Sequence, residues 1–270
     1  MPVKETRRMK LPRVTTENYY SSKTQLAYMS ASQFKSFQRC EAAALAELEG
    51  RYDRPKTTAM LVGGYVDAHF SGEMEQFLVQ NPKLFKRDGS LKSEFVHADD
   101  IIRRMEQDTL YVMLMSGRKQ VILTGEIAGV PYKAKLDSLL DSDTCQIIAE
   151  RFPGAGAALG FCDGAIVDQK VMSSTDDVWS EDERGRVPFA RAWGYDIQGA
   201  IYQALEGHML PFILAVGTKE PEPDLAAIYI PDQELSACLE EVKSLSPRYQ
   251  AMREVPVLPQ SEEIDKNYRL

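Results

Sequence analysis

Asp137, Asp168 and Lys170 are the residues of this chain most ready for chemistry, because each sits in a segment whose side chains alternate. Asp168-Gln169-Lys170 follows the apolar run Ala165-Ile166-Val167. In a strand, the side-chain period of two places Asp168 and Lys170 on one face, an acid beside an amine at one edge of a sheet. The stretch Val130 to Asp137 alternates too, with Lys133, Lys135 and Asp137 on one face and Tyr132, Ala134 and Leu136 on the other. Two carboxylates on neighbouring strands can hold a hard divalent cation such as Mg²⁺ through oxygen. Further on, Tyr195, Gln198 and Tyr202 fall at i, i+3 and i+7, one stripe of a helix.

The elements that must position these residues follow from periodicity and punctuation. Ser30-Ala31-Ser32 offers an N-cap to a helix through Phe34, Phe37, Ala42, Ala44, Leu45 and Leu48, stopped by Gly50. A second helix is predicted from about Thr58 to Leu78 and carries Gly63, Gly64, Asp67 and His69. Asp67 and His69 are two residues apart and cannot share one helix face. Asn81 to Ser93 reads as loop, and Asp99 to Met115 as an amphipathic helix ended by Gly117. A hairpin follows, Gln120 to Ile127 and Val130 to Leu140 about an Ala128-Gly129 turn. Residues 141–164 form a long connection without readable structure, and Asp176 to Val187 an exposed, charged loop near the site. One helix from Pro188 to His208, strands over Pro211–Gly217 and Leu225–Ile230, and a helix over Asp232–Met252 complete the pattern.

With 270 residues and 44% hydrophobic content, the chain can bury one large core, or a core with a helical annex. It has no apolar run of about eighteen residues, and Met1 to Arg13 is basic without an apolar stretch, so no membrane and a cytoplasmic location are expected. A net charge of −8 excludes a protein that coats nucleic acid by bulk electrostatics. It leaves room for an enzyme with a local basic groove. The four cysteines are scattered, with no C-x-x-C pair, which predicts buried free thiols. Residues 1–28 read as a basic, poorly patterned arm (Lys4, Arg7, Arg8, Lys10, Arg13), 29–252 as a single domain and 253–270 as a polar tail.

Taken in order, Gly63-x-x-x-Asp67 on a helix, Asp137 on a strand, Asp168-x-Lys170 on a strand and Gln198-x-x-x-Tyr202 on a helix resemble the PD-(D/E)XK nucleases. Within them the chain is similar to phage and prophage exodeoxyribonucleases of the RecE type, whose members are matched by Tyr28–Lys35, Val62–Asp67 and Ala192–Tyr202. A lone D-x-K recurs by chance; the ordered set carries the resemblance, which spans residues 28–252. It implies an α/β fold, a restriction-endonuclease-like core with a central mixed β-sheet flanked by helices. It also implies hydrolysis of phosphodiester bonds at double-stranded DNA ends, 5′ to 3′, leaving single strands for an annealing protein of the RecT type. A homo-oligomer in the cytoplasm of a bacterial host goes with that reading.

By the same resemblance Asp137, Asp168 and the backbone carbonyl of Gln169 ligate Mg²⁺ or Mn²⁺, with Asp67 as the first-helix ligand and His69 in reserve. Lys170 orients the attacking water and offsets charge; a lysine beside two carboxylates is expected to be cationic, which favours positioning over general-base work. Gln198, Tyr202 and, more weakly, Tyr195 hold the DNA backbone or brace Lys170, while Lys133 and Lys135 line the groove. The chain departs from the family in having Asp168 where many relatives have Glu, and Asp67 where several have His. Some relatives bind an iron-sulfur cluster through one N-terminal and three C-terminal cysteines. Cys40 stands near the first of these, but residues 253–270 hold no cysteine, so no cluster is expected. The connection 141–164 is longer than the family's. The same motifs also suit a structure- or sequence-specific endonuclease, or an inactive DNA-binding or assembly protein.

Overall fold

The expected hairpin forms: β1 (Arg118–Ile127) pairs antiparallel with β2 (Val130–Asp141), and Ala128 and Gly129 both take the positive φ that a tight two-residue turn needs. This computed structural model describes residues 11–160, 162–181 and 183–254, the side chains of 156 and 157 excepted. Lys4, Arg7, Arg8 and Lys10 of the arm, and nearly all of the 253–270 tail, lie outside the described residues. β3 (Gly164–Met172) runs antiparallel to β2. The predicted 176–187 loop is instead a small hairpin, β4 (Val178–Ser180) with β5 (Gly185–Val187). β6 (Phe212–Thr218) lies parallel to β3, and β7 (Leu225–Ile230) antiparallel to β6, which gives a mixed sheet in the order β1-β2-β3-β6-β7.

Several helices are shorter than their periodicity predicts, because an extended residue, a left-handed glycine or a polar cap cuts them. The 30–48 helix is two, α2 (Ala31–Arg39) and α3 (Glu41–Leu48), preceded by the short α1 (Ser22–Ala27); extended Cys40 ends one and starts the other. Cys40 is also exposed, contrary to the expectation of buried thiols. The 58–78 helix breaks at Gly72, whose φ of 77° closes α4 (Thr58–Ser71) before α5 (Met74–Gln80). Asp108 divides α6 (Ser93–Gln107) from α7 (Thr109–Leu114), its carboxylate accepting from the Tyr111 N–H at 2.9 Å. Asp141 does the same for α8 (Ser142–Arg151), so the connection before β3 is helical, α8 and then α9 (Pro153–Leu159). Gly194, at φ 63°, separates α10 (Phe189–Ala192) from α11 (Tyr195–Glu206), and α12 (Asp232–Glu254) follows β7.

Two core layers sandwich the sheet. On one face α2, α11 and α12 bring Phe34, Ile201 and Val242 onto Tyr132, Leu136 and Leu214. On the other α4, α6 and α8 bring Val66, Ile101 and Ile148 onto Val167, Ile213 and Ala215. A mixed sheet covered on both faces is the layered α/β arrangement expected of a restriction-endonuclease-like core. Residues 11–28 are not a loose arm: the Tyr28 hydroxyl donates to the Pro12 carbonyl at 3.0 Å, and the buried Lys133 ammonium reaches the Tyr19 carbonyl. Among the described residues no helix is long and apolar enough to cross a membrane.

Candidate active site

The register of β2 and β3 sets the site. Ser138 lies opposite Val167, so Asp137 and Asp168 occupy the next position along the two strands. The strict alternation predicted for β2 slips here, because Leu136 and Leu139 both enter the same core layer. Opposite this point on β1 stands Gln120, with a left-handed φ of 51°. Asp137 Oδ2 accepts the Gln169 N–H at 2.9 Å, which ties its carboxylate to β3. Asp168 is 2% exposed; its Oδ1 accepts from Gln198 Nε2 at 2.7 Å, and its buried Oδ2 has no polar partner but the Lys170 ammonium.

α11 supplies the roof. Gly199 lets the helix lie on the sheet: a Cβ there would stand 2.4 Å from the Phe212 ring of β6. That approach delivers Gln198 to Asp168, and Gln198 Nε2 also donates to the Tyr202 hydroxyl at 3.1 Å. Tyr195 sits one turn earlier with the Lys170 ammonium 5.2 Å from its ring centroid. The stripe predicted at 195, 198 and 202 therefore faces the acids, and Gln198 braces Asp168 rather than Lys170.

Charge in the site is unbalanced. Burial, then the neighbouring charges of Asp168 and Asp67, push Asp137 up to about 8. Burial also raises Asp67, against the pull of Lys135 and Lys170. Burial alone would lower Lys170, but Asp168 and Asp137 more than reverse it, so Lys170 is held as an ammonium. A carboxylate that is acid-crowded and an Asp168 oxygen whose sole partner is that ammonium suit a divalent cation bound through two carboxylates, the Gln169 carbonyl and water. Among the described residues no three of His, Cys, Asp or Glu are grouped closely enough to hold an ion by themselves.

All three acids open on a cleft of about 750 Å³, lined also by Lys35, Lys135 and Lys219. Asp67, from α4, lines it; His69 does not, and instead meets Glu106 at 2.8 Å on an exposed surface. The expectation of His69 as reserve ligand is thereby corrected: two residues of helix turn it away. Lys133 is corrected as well. It is fully buried beneath the N-terminal segment, with its ammonium 4.6 Å from the Tyr19 ring, and does not line the groove. Lys135 does. Sequence reading missed Lys35, Lys219, Tyr20 and Trp193, which also line the cleft. Lys35 and Trp193 stood inside the segments Tyr28–Lys35 and Ala192–Tyr202 that carried the resemblance; Tyr20 and Lys219 have no signal short of the fold.

The chain matches the family model described as "PDDEXK-like domain of unknown function (DUF3799)" over residues 30–147 and 161–267. It is similar to a crystal structure from Eubacterium rectale described as "Putative exonuclease", at 38% identity over 96% of this chain and 95% of that one, with a TM-score of 0.79. No curated protein matches it.

Proposed function

Because the chain belongs to the PDDEXK-like family, we propose that it is a metal-dependent deoxyribonuclease, an exonuclease that hydrolyses phosphodiester bonds at double-stranded DNA ends. One observation carries the reading: Asp137 and Asp168 meet on adjacent strands, with the Lys170 ammonium, at the floor of a lysine-lined cleft. When bound, Mg²⁺ or Mn²⁺ supplies a Lewis acid for the phosphoryl oxygen and a more acidic water. Asp137, Asp168 and the Gln169 carbonyl would hold it, with Asp67 able to accept from its waters. Lys170, as an ammonium, orients the attacking water and offsets the charge that grows on the non-bridging oxygen. Gln198 keeps Asp168 in its rotamer. The 5′-to-3′ polarity, hand-over of the strand to a RecT-type annealing protein, homo-oligomer formation and a recombination role of phage type rest on the resemblance of the motifs.

End-labelled linear duplex incubated with Mg²⁺, beside a covalently closed circle, tests the proposal. The wild-type chain is expected to digest the linear DNA from its ends and spare the circle. Asp168→Ala and Lys170→Ala are expected to abolish digestion with an unchanged circular dichroism spectrum. Cutting of the circle would make the protein an endonuclease, and wild-type digestion by either variant would remove these residues from catalysis.

A further inference from the structure

The cleft is rimmed by two aromatic rings that the packing of the protein leaves unused. Tyr20 is 68% exposed and Trp193 is 55% exposed, and both line the cleft that holds Asp137 and Asp168. Single exposed rings such as Trp179 and Tyr52 are ordinary on a protein surface; these two differ in sharing the mouth of the cleft that holds the acids. Here their backbones are fixed while more than half of each residue stays open to solvent. The Trp193 carbonyl accepts from the Lys35 ammonium at 3.3 Å, and its N–H donates to the Phe189 carbonyl at 3.1 Å. Tyr20 follows Tyr19, whose ring is buried and whose carbonyl is held by Lys133; the two rings meet edge-on, centroids 5.0 Å apart. Lys135 lies 5.2 Å from the Tyr20 centroid.

Rings fixed in place among ammonium groups are what an unpaired nucleic-acid strand needs. Its phosphates take the cations, and each base has a π-face for an aromatic side chain whatever the sequence. A base paired inside a duplex is stacked on both faces, and a duplex end offers only the outer face of its last pair. On the nuclease reading above, we infer that Tyr20 and Trp193 stack on unpaired bases flanking the scissile phosphate, with Lys35 and Lys135 on the adjoining phosphates. The substrate in the cleft is then a single strand or a frayed end, and a duplex end must open before it is cut. The acidic exterior of the chain fits such a mode, since cation and ring are gathered at one mouth.

The test removes the base from the DNA and the ring from the protein in turn. Binding of the full chain to a short single-stranded oligonucleotide is measured by anisotropy with Ca²⁺, against the same strand carrying abasic residues at its terminal positions. The wild-type chain should bind the base-bearing strand more tightly, by about 5- to 150-fold per stacked base. Trp193→Ala and Tyr20→Ala should each lose that preference and bind the abasic strand unchanged, and Trp193→Phe and Tyr20→Phe should retain it. In a Trp179→Phe background the remaining tryptophan, Trp193, should be quenched by the base-bearing strand alone. Equal binding of the two strands by the wild-type chain overturns the inference, as do alanine variants that keep the preference. A changed oligomeric state of those same alanine variants on light scattering would then give the rings to a protein contact. Cleavage is scored separately: base preference without cleavage sinks the nuclease reading alone, and cleavage without base preference sinks the stacking alone.

Discussion

At Asp168 the two carboxylate oxygens have different duties. Oδ1 is fixed by Gln198 at 2.7 Å, and Oδ2 meets the Lys170 ammonium. A ligand oxygen is useful only if its partner oxygen is held, because a freely rotating carboxylate must be ordered anew each time an ion binds. Gln198 is thus a positioning residue. Gln198→Leu keeps the volume and removes the donor, leaving Oδ1 buried without a partner. The variant is expected to lose about 10- to 100-fold in Mn²⁺ affinity by calorimetry and a similar factor in cleavage rate. Gln198→Glu should be worse, since it sets a further carboxylate against Asp168. Unchanged metal affinity in Gln198→Leu would leave Gln198 free to serve DNA, as the motif alone suggested.

Gln198 reaches Asp168 because α11 lies close on the sheet, and a prediction at that scale concerns Gly199. Ala exceeds Gly in helix propensity by about 1 kcal/mol, so an added methyl normally stabilises a helix. At Gly199 it would enter the Phe212 ring, and the overpacking cost of about 1–3 kcal/mol reverses the sign. At Gly63 on α4 nothing lies within 4 Å of a new Cβ. Urea unfolding should therefore show a lower midpoint for Gly199→Ala and an equal or higher one for Gly63→Ala; a stabilised Gly199→Ala would mean that α11 shifts freely on the sheet. Elements of this kind were partly legible beforehand. The β1–β2 hairpin, β3 and the stripe on α11 follow from periods of 2 and 3.6 and appear where those periods place them. Two capping signals were missed: Asp108 breaks a continuous apolar pattern and Asp141 starts a helix in a stretch read as connection, each accepting an N–H three residues on. The burial of Lys133 could not be read, since it shares its face with Lys135 and only the N-terminal segment above it distinguishes the two.

Across the whole molecule, that N-terminal segment is joined to the sheet and to the last helix by two cations. Lys133 of β2 reaches the Tyr19 carbonyl and, at 3.1 Å, the Thr24 hydroxyl; Arg253 of α12 donates to the carbonyls of Gln25, Leu26 and Tyr28 at 2.8–3.1 Å. The carbonyl groups at the end of α1, which a short helix leaves open, are thereby satisfied from outside. Tyr20 at the cleft mouth depends on this anchoring. Burial, and secondarily Arg253, lower the Lys133 ammonium to about 8 from its ordinary value near 10.5. An unfolded chain then binds more protons at this site than the folded one between pH 8 and 10.5, so the contribution of Lys133 to stability rises with pH through that window. Tyr19 titrates in the opposite sense higher up, because burial holds its phenol above the range where the unfolded chain ionises near pH 10. The comparison accordingly belongs between pH 7 and 9.5, with Lys133→Met as the reference that shares every other group. Wild-type unfolding free energy, taken relative to that variant, is expected to grow by about 1–2 kcal/mol over the interval. A difference that stays flat would show that the Tyr19 carbonyl and the Thr24 hydroxyl solvate the ammonium as well as water does.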